Sequence, residues 1–164
     1  MTGDRSRQLA WASLAVALLV TILPLPAAVA TMRPPWVAMV LVYWCIEAPE
    51  RVGLVTAFAA GLALDLLIGD TLGQHAVGLV VIAFISLRFH NILRFYPVWQ
   101  KTLAVLALLI NDRVIYLLAI VLGSDPLPDW RIWLSAASGT LLWPWLYLLL
   151  DDLRVRTRKR GKST

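Results

Sequence analysis

Residues Gly61–Gly73 read GLALDLLIGDTLG, and they place an aspartate, Asp65, inside a stretch otherwise made for an apolar surrounding. Glycines stand four positions before it and four and eight positions after it. Positions four apart share one inclined ridge of a helix. Extended backwards, this ridge contains Gly53, Ala57, Gly61, Asp65 and Gly69, with Gly73 in the following turn. The other faces carry Leu54, Val55, Phe58, Leu62, Leu66 and Ile68. One side is small and smooth, and the rest is bulky and apolar. Small residues at this spacing let a second backbone approach closely, either within the molecule or in a partner. A carboxylate at the centre of a membrane helix costs about 2.5–3.5 kcal/mol, so Asp65 must face protein or water and have a partner.

The whole chain has the same character. It has 164 residues, 60% of them hydrophobic and 15% charged, with a mean hydropathy of +0.75. A soluble domain needs more charge to cover its surface. Six apolar runs follow one another at about 9–30, 34–48, 52–69, 74–93, 98–122 and 130–150, each bounded by charge, proline or glycine. The expectation is an all-α integral membrane protein with six transmembrane helices. Residues 1–8 form a cytoplasmic N-terminus, 9–150 the membrane domain, and 151–164 a basic cytoplasmic tail. With both termini inside, the inner segments hold most of the arginine and lysine, and the outer loops hold Arg33 and Arg131. Arg5, Arg7 and Ala28-Val29-Ala30 also imitate a cleavable secretory signal. Cleavage there would leave five spans. Four prolines, Pro24, Pro26, Pro34 and Pro35, shorten the second run, which then needs local thinning or neighbouring protein around it.

Enzyme chemistry has no foothold in the pattern. Cys45 is the single cysteine, His75 and His90 lack a helical partner at ligand spacing, and no phosphate loop or nucleophile motif occurs. No cofactor or metal is expected. The net charge of +5 comes largely from the tail, where Arg154, Arg156, Arg158, Lys159, Arg160 and Lys162 follow the last apolar run. That placement is a topology signal and a contact for anionic lipid or cytoplasmic protein, not for nucleic acid.

Depth suggests a partner for Asp65. It lies about 21 Å along its helix from Arg51, and Arg113 lies about 18 Å along the fifth run from Lys101. Asn111, Asp112 and Arg113 are the other deep polar groups. The expectation is an Asp65–Arg113 pair inside a polar clasp, with Asp112 held by another donor or water. Partner docking and an ion path are the other roles open to these residues.

In order and length, the chain resembles the rod shape-determining protein MreD family. The resemblance rests on RPPWVAMVLVYW, the turn APERVGL, GLALDLLIGDTLGQHA and LLWPWLYLLL. The family motif falls on Gly61, Asp65, Gly69, Thr71, Leu72 and Gly73. The resemblance implies a non-enzymatic subunit of the cell-wall elongation complex in the bacterial inner membrane. Its implied partners are an MreC-like bitopic coiled-coil protein, and a complex with MreB, RodA and a transpeptidase. It further implies a six-helix fold similar to the substrate-binding components of energy-coupling vitamin transporters. That similarity sustains a rival, a substrate-capturing transport component, with Asp70, Thr71, Gln74, His75, Asp125 and Asp129 as outer-loop candidates. An ion-conducting bundle is a third reading, but the spans carry isolated polar groups rather than a path.

Overall fold

A computed structural model describes residues 2–24, 26, 32–69, 72–123, 126 and 128–160, with the side chains of 2–6 and 158–160 excepted. Among the described residues, six helices follow in chain order: α1 (Thr2–Ile22), α2 (Trp36–Glu47), α3 (Leu54–Ile68), α4 (Gln74–Leu93), α5 (Val98–Gly123) and α6 (Ile132–Arg160). Among the described residues, three stretches, Gln74–Leu93, Val98–Gly123 and Ile132–Thr157, are long and apolar enough to cross a membrane by length and composition. The other apolar helices, Arg7–Ile22, Trp36–Glu47 and Leu54–Ile68, are shorter.

Local chemistry sets the boundaries. α2 starts behind Pro34 and Pro35, which have no N–H to donate, and it stops at Glu47 because Pro49 keeps Ala48 out of the helical region. Ala48 has φ −145° and ψ 64°. α3 ends at Gly69, whose φ of +80° is a left-handed cap, and α4 follows Gly73 at φ +98°. Pro97 opens α5, accepting from the Gln100 and Lys101 N–H groups.

α1, α3, α4, α5 and α6 pack side by side in a closed ring, and α2 fills its centre against α1, α4, α5 and α6. Every residue from Val37 to Glu47 is buried. A helix that is apolar on all sides belongs in a core, and α2 is such a helix. Its length, about 18 Å by helical rise, is too short for a ~30 Å hydrocarbon layer. Surrounding protein encloses it. Trp44 pins it to α1 by donating Nε1–H to Ser13 Oγ at 2.8 Å.

At the chain's end, α6 does not stop where the apolar run does. It continues through Leu150 to Arg160, because no breaker intervenes and Arg156 pairs with Asp152 one turn back. Pro144 is accommodated within α6, with Trp143 buried on one side and Trp145 exposed on the other. The signal-like Ala28-Val29-Ala30 lies outside the described residues.

Candidate functional site

Asp65 answers to its own hairpin. It is completely buried near the end of α3, and its carboxylate accepts the first donors of α4. Gly73 N–H reaches Oδ2 at 2.9 Å and His75 N–H reaches Oδ1 at 2.9 Å, with Ala76 N–H at 3.4 Å from Oδ2. The His75 ring closes on Oδ1 through Nδ1 at 2.9 Å. A negative group at a helix N-terminus satisfies orphan N–H groups and faces the positive end of the helix dipole. Here the cap comes from the preceding helix, not from the usual N-cap side chain.

The ridge supports this arrangement. A Cβ on Gly61 would stand 2.2 Å from Ala76 Cα, so glycine is what lets α3 and α4 touch backbone to backbone. Ala57 is fully buried in the core. Gly69 and Gly73 act through positive φ, and Cβ atoms built on them would meet nothing within 4 Å. Gly53 is also open to added bulk, at an ordinary φ of −118°, so it is not a close-packing position. Between Gly61 and Gly73, the ridge joins two helices of one chain.

The expected Asp65–Arg113 pair does not form. Arg113 Nη2 instead donates to its neighbour Asp112 Oδ2 at 2.7 Å, and its guanidinium lies over the Tyr116 ring at 5.5 Å. The two residues agree in depth, but α4 packs between α3 and α5 and keeps their helices apart. Asp112 is buried against α4, where a Cβ on Gly78 would come within 2.4 Å of its Oδ1. Asn111 takes no part in a clasp, since its Nδ2 is buried without a partner.

A second buried network, centred on Glu47, was not anticipated from the sequence. Glu47 Oε1 accepts from Lys101 Nζ at 3.2 Å and Tyr147 Oη at 3.0 Å. Arg154 reaches Oε2 with Nη1 and the Glu47 carbonyl with Nη2, both at 2.8 Å. Arg94 Nε stands 3.8 Å from Oε2, and Lys101 Nζ also donates to Tyr147 Oη at 2.7 Å. α2, α5 and α6 are thereby tied together at the end opposite the α3–α4 turn. Arg154 accordingly turns inward, with its side chain 14% exposed, and its guanidinium is committed to Glu47 rather than to lipid or cytoplasmic protein. Arg156 is exposed beside Asp152, whereas the Arg158, Lys159 and Arg160 side chains and Lys162 lie outside the described residues. The sequence signal for this network is weak: one acid at the end of an apolar run, far along the chain from its three cations, Arg94, Lys101 and Arg154.

At the α3–α4 end lies a cavity of about 420 Å³. Arg33, Pro35, Val37 and Ala38 from the start of α2 line it, with Leu64 and Ile68 of α3 and His75 and Leu79 of α4. Asp112, Arg113 and Tyr116 of α5 and Arg131, Ile132 and Ser135 around the α6 start complete much of the wall. Of the loop candidates, His75 and Asp129 line this cavity and Gln74 begins α4. Asp70, Thr71 and Asp125 lie outside the described residues. Its volume is in the range of small-molecule sites.

Comparison with known proteins bears on this arrangement. A family model described as rod shape-determining protein MreD matches residues 5–153. A curated relative, the rod shape-determining protein MreD of Haemophilus influenzae, is 33% identical over 144 residues, covering 87% of this chain and 88% of its own length. No solved structure matches the chain.

Proposed function

The chain belongs to the rod shape-determining protein MreD family and has a role in cell shape; from that premise we propose that it is a non-enzymatic docking subunit of the cell-wall elongation complex. On this reading it crosses the bacterial inner membrane six times with both termini in the cytoplasm. It binds an MreC-like bitopic coiled-coil protein, and through it MreB, RodA and a transpeptidase. The six-helix arrangement is then the one used by substrate-binding components of energy-coupling transporters, turned to assembly.

One observation carries the docking reading: Asp65 and Glu47 are each held from within at opposite ends of the bundle, which fixes the helices relative to one another. The exterior remains apolar, with Val55 82%, Leu122 76% and Leu141 78% exposed. A rigid body with an apolar flank suits lateral contact with another membrane helix, where packing of side chains supplies the attraction. Short connections leave few other ways to act.

The cavity supports a second reading, capture of a small molecule. Both are tested by tagging the C-terminus, solubilising native membranes gently and identifying what co-purifies. Recovery of a bitopic coiled-coil protein with wall-synthesis enzymes supports docking. Recovery of an ATPase with a coupling membrane subunit replaces it with capture.

A further inference from the structure

Several donors around the cavity have nothing to donate to. α2 begins on its floor, and Pro35 at the N-cap offers no N–H and no side-chain cap. The N–H groups of Val37 and Ala38 meet no acceptor among the described residues, although these residues are only 2% and 3% exposed and both line the cavity. Ser135 lines the same space from α6 at 9% exposure, and its hydroxyl has no hydrogen-bond partner among the described residues. Arg33 directs Nη1 and Nη2 to the Thr21 and Leu23 carbonyls at the end of α1, leaving its Nε buried and unpartnered.

Charge points the same way. The described lining residues include the guanidiniums of Arg33, Arg113 and Arg131, the carboxylates of Asp112 and Asp129, and the His75 ring, which closes on Asp65. Arg113 and Arg131 are paired with those two carboxylates, so among the described lining residues Arg33 is the arginine without a carboxylate. A buried donor without an acceptor is unfavourable, and a helix N-terminus beside a guanidinium favours an anion. Pro34, Trp36, Leu64, Ile68, Leu79 and Ile132 supply apolar wall that a free hydrophilic anion would leave uncovered.

We propose that this cavity seats a singly charged phosphate group carried by an anionic phospholipid. Its oxygens accept from the Val37 and Ala38 N–H groups, Arg33 Nε and the Ser135 hydroxyl, and its glycerol and upper acyl carbons lie along the apolar wall. The inference does not rest on the docking reading, because it needs only that the chain lies in a bilayer.

The test uses the full-length protein, purified and delipidated in detergent, with native mass spectrometry and thermal unfolding as readouts. Phosphatidylglycerol is expected to bind one per chain, about tenfold more tightly than diacylglycerol, which has the same glycerol and acyl chains but no phosphate, as a charge-assisted contact warrants. Ser135→Leu, which fills the cavity, abolishes that preference while leaving the lipid-free thermal midpoint unchanged. Arg33→Gln lowers phosphatidylglycerol affinity about tenfold. Because Arg33 also holds the α1 terminus, Ser135→Ala, which removes only a hydroxyl, provides the milder check. Inorganic phosphate that stabilises the wild type but not Ser135→Leu, with no preference between the lipids, supports the anion seat and assigns it to free phosphate. Equal retention of both lipids with no phosphate response overturns the proposal, as does a phosphatidylglycerol preference that survives in Ser135→Leu.

Discussion

Asp65 and Glu47 are both buried carboxylates at helix ends, and they are satisfied in opposite ways. Asp65 is met by backbone N–H groups and one imidazole within eleven positions of the chain. Glu47 is met by side chains 54, 100 and 107 positions away. The first ties together two consecutive helices through contacts local in the chain. The second exists only when α2, α5 and α6 have assembled. A conspicuous motif can therefore serve local structure, while an inconspicuous residue closes the tertiary fold.

The comparison breaks most decisively at Glu47. Glu47→Gln removes the negative charge from between Lys101 and Arg154, whose side chains are 5% and 14% exposed. Stranding buried charge in this way destabilises by about 3–5 kcal/mol. The expected outcome is the largest fall in thermal midpoint of any substitution considered, with earlier tryptic cleavage of the α6 extension. Adding Lys101→Met should restore part of the loss, since one stranded cation is then gone. A double variant no better than Glu47→Gln would show that Lys101 contributes little to the network.

These two carboxylates also mark how far the sequence could be read. The six helices among the described residues follow the order of the six apolar runs, because proline, glycine and charge punctuate the chain between them. Gly61, Asp65 and Gly73 were legible as a unit, since a four-residue spacing is a property of one helix and its exit. The partner of Asp65 was not legible. Equal depth fixes one coordinate of a residue in a bundle, and the order of helices around the ring fixes another that no span pattern contains. The sequence groups Arg154 with the residues that contact lipid or cytoplasmic protein for a related reason: in a row of basic residues, nothing local distinguishes the one that turns inward. The last ten residues of α6 carry no signal in the apolar pattern, because hydropathy ends at Leu150 whereas helical hydrogen bonding does not.

Gly61 gives the next largest effect and tests whether the hairpin depends on contact as well as on the carboxylate. Gly61→Val places a branched side chain where even a Cβ lies 2.2 Å from Ala76 Cα. Overpacking of this kind costs about 1–3 kcal/mol, and the upper end applies when backbone must move. The check is a thermal or denaturant unfolding series, with a cysteine crosslink across α3 and α4 formed less readily in the variant. Unchanged stability and crosslinking would mean that the helices are not in backbone contact there.

Asp65 itself comes third. Asp65→Asn keeps one acceptor oxygen but loses the charge facing the α4 N-terminus, and about 1–2 kcal/mol should go with it. The sharper measurement pairs this change with Arg113→Gln. Residues that do not interact have effects that add to within about 0.5 kcal/mol. Additivity in the unfolding free energies is expected, because α4 separates the two helices. A coupling well above that value would restore the direct pair and remove the distinction between the local and the long-range carboxylate.

The smallest effect separates two glycines that the ridge pattern treats as equals. Serine placed at Gly61 meets Ala76 backbone, whereas at Gly53 the added Cβ has nothing within 4 Å. Gly53 is also the N-cap of α3, with no side-chain cap present, and serine is among the favoured residues at such a position. Gly53→Ser should therefore be neutral or stabilising by a few tenths of a kcal/mol, while Gly61→Ser lowers the midpoint clearly. If Gly53→Ser leaves the isolated protein as stable but weakens recovery of its partners, the open space at Gly53 is where another helix approaches. The start of the ridge would then face outward and the Gly61–Gly73 part inward, dividing one sequence pattern between assembly and folding.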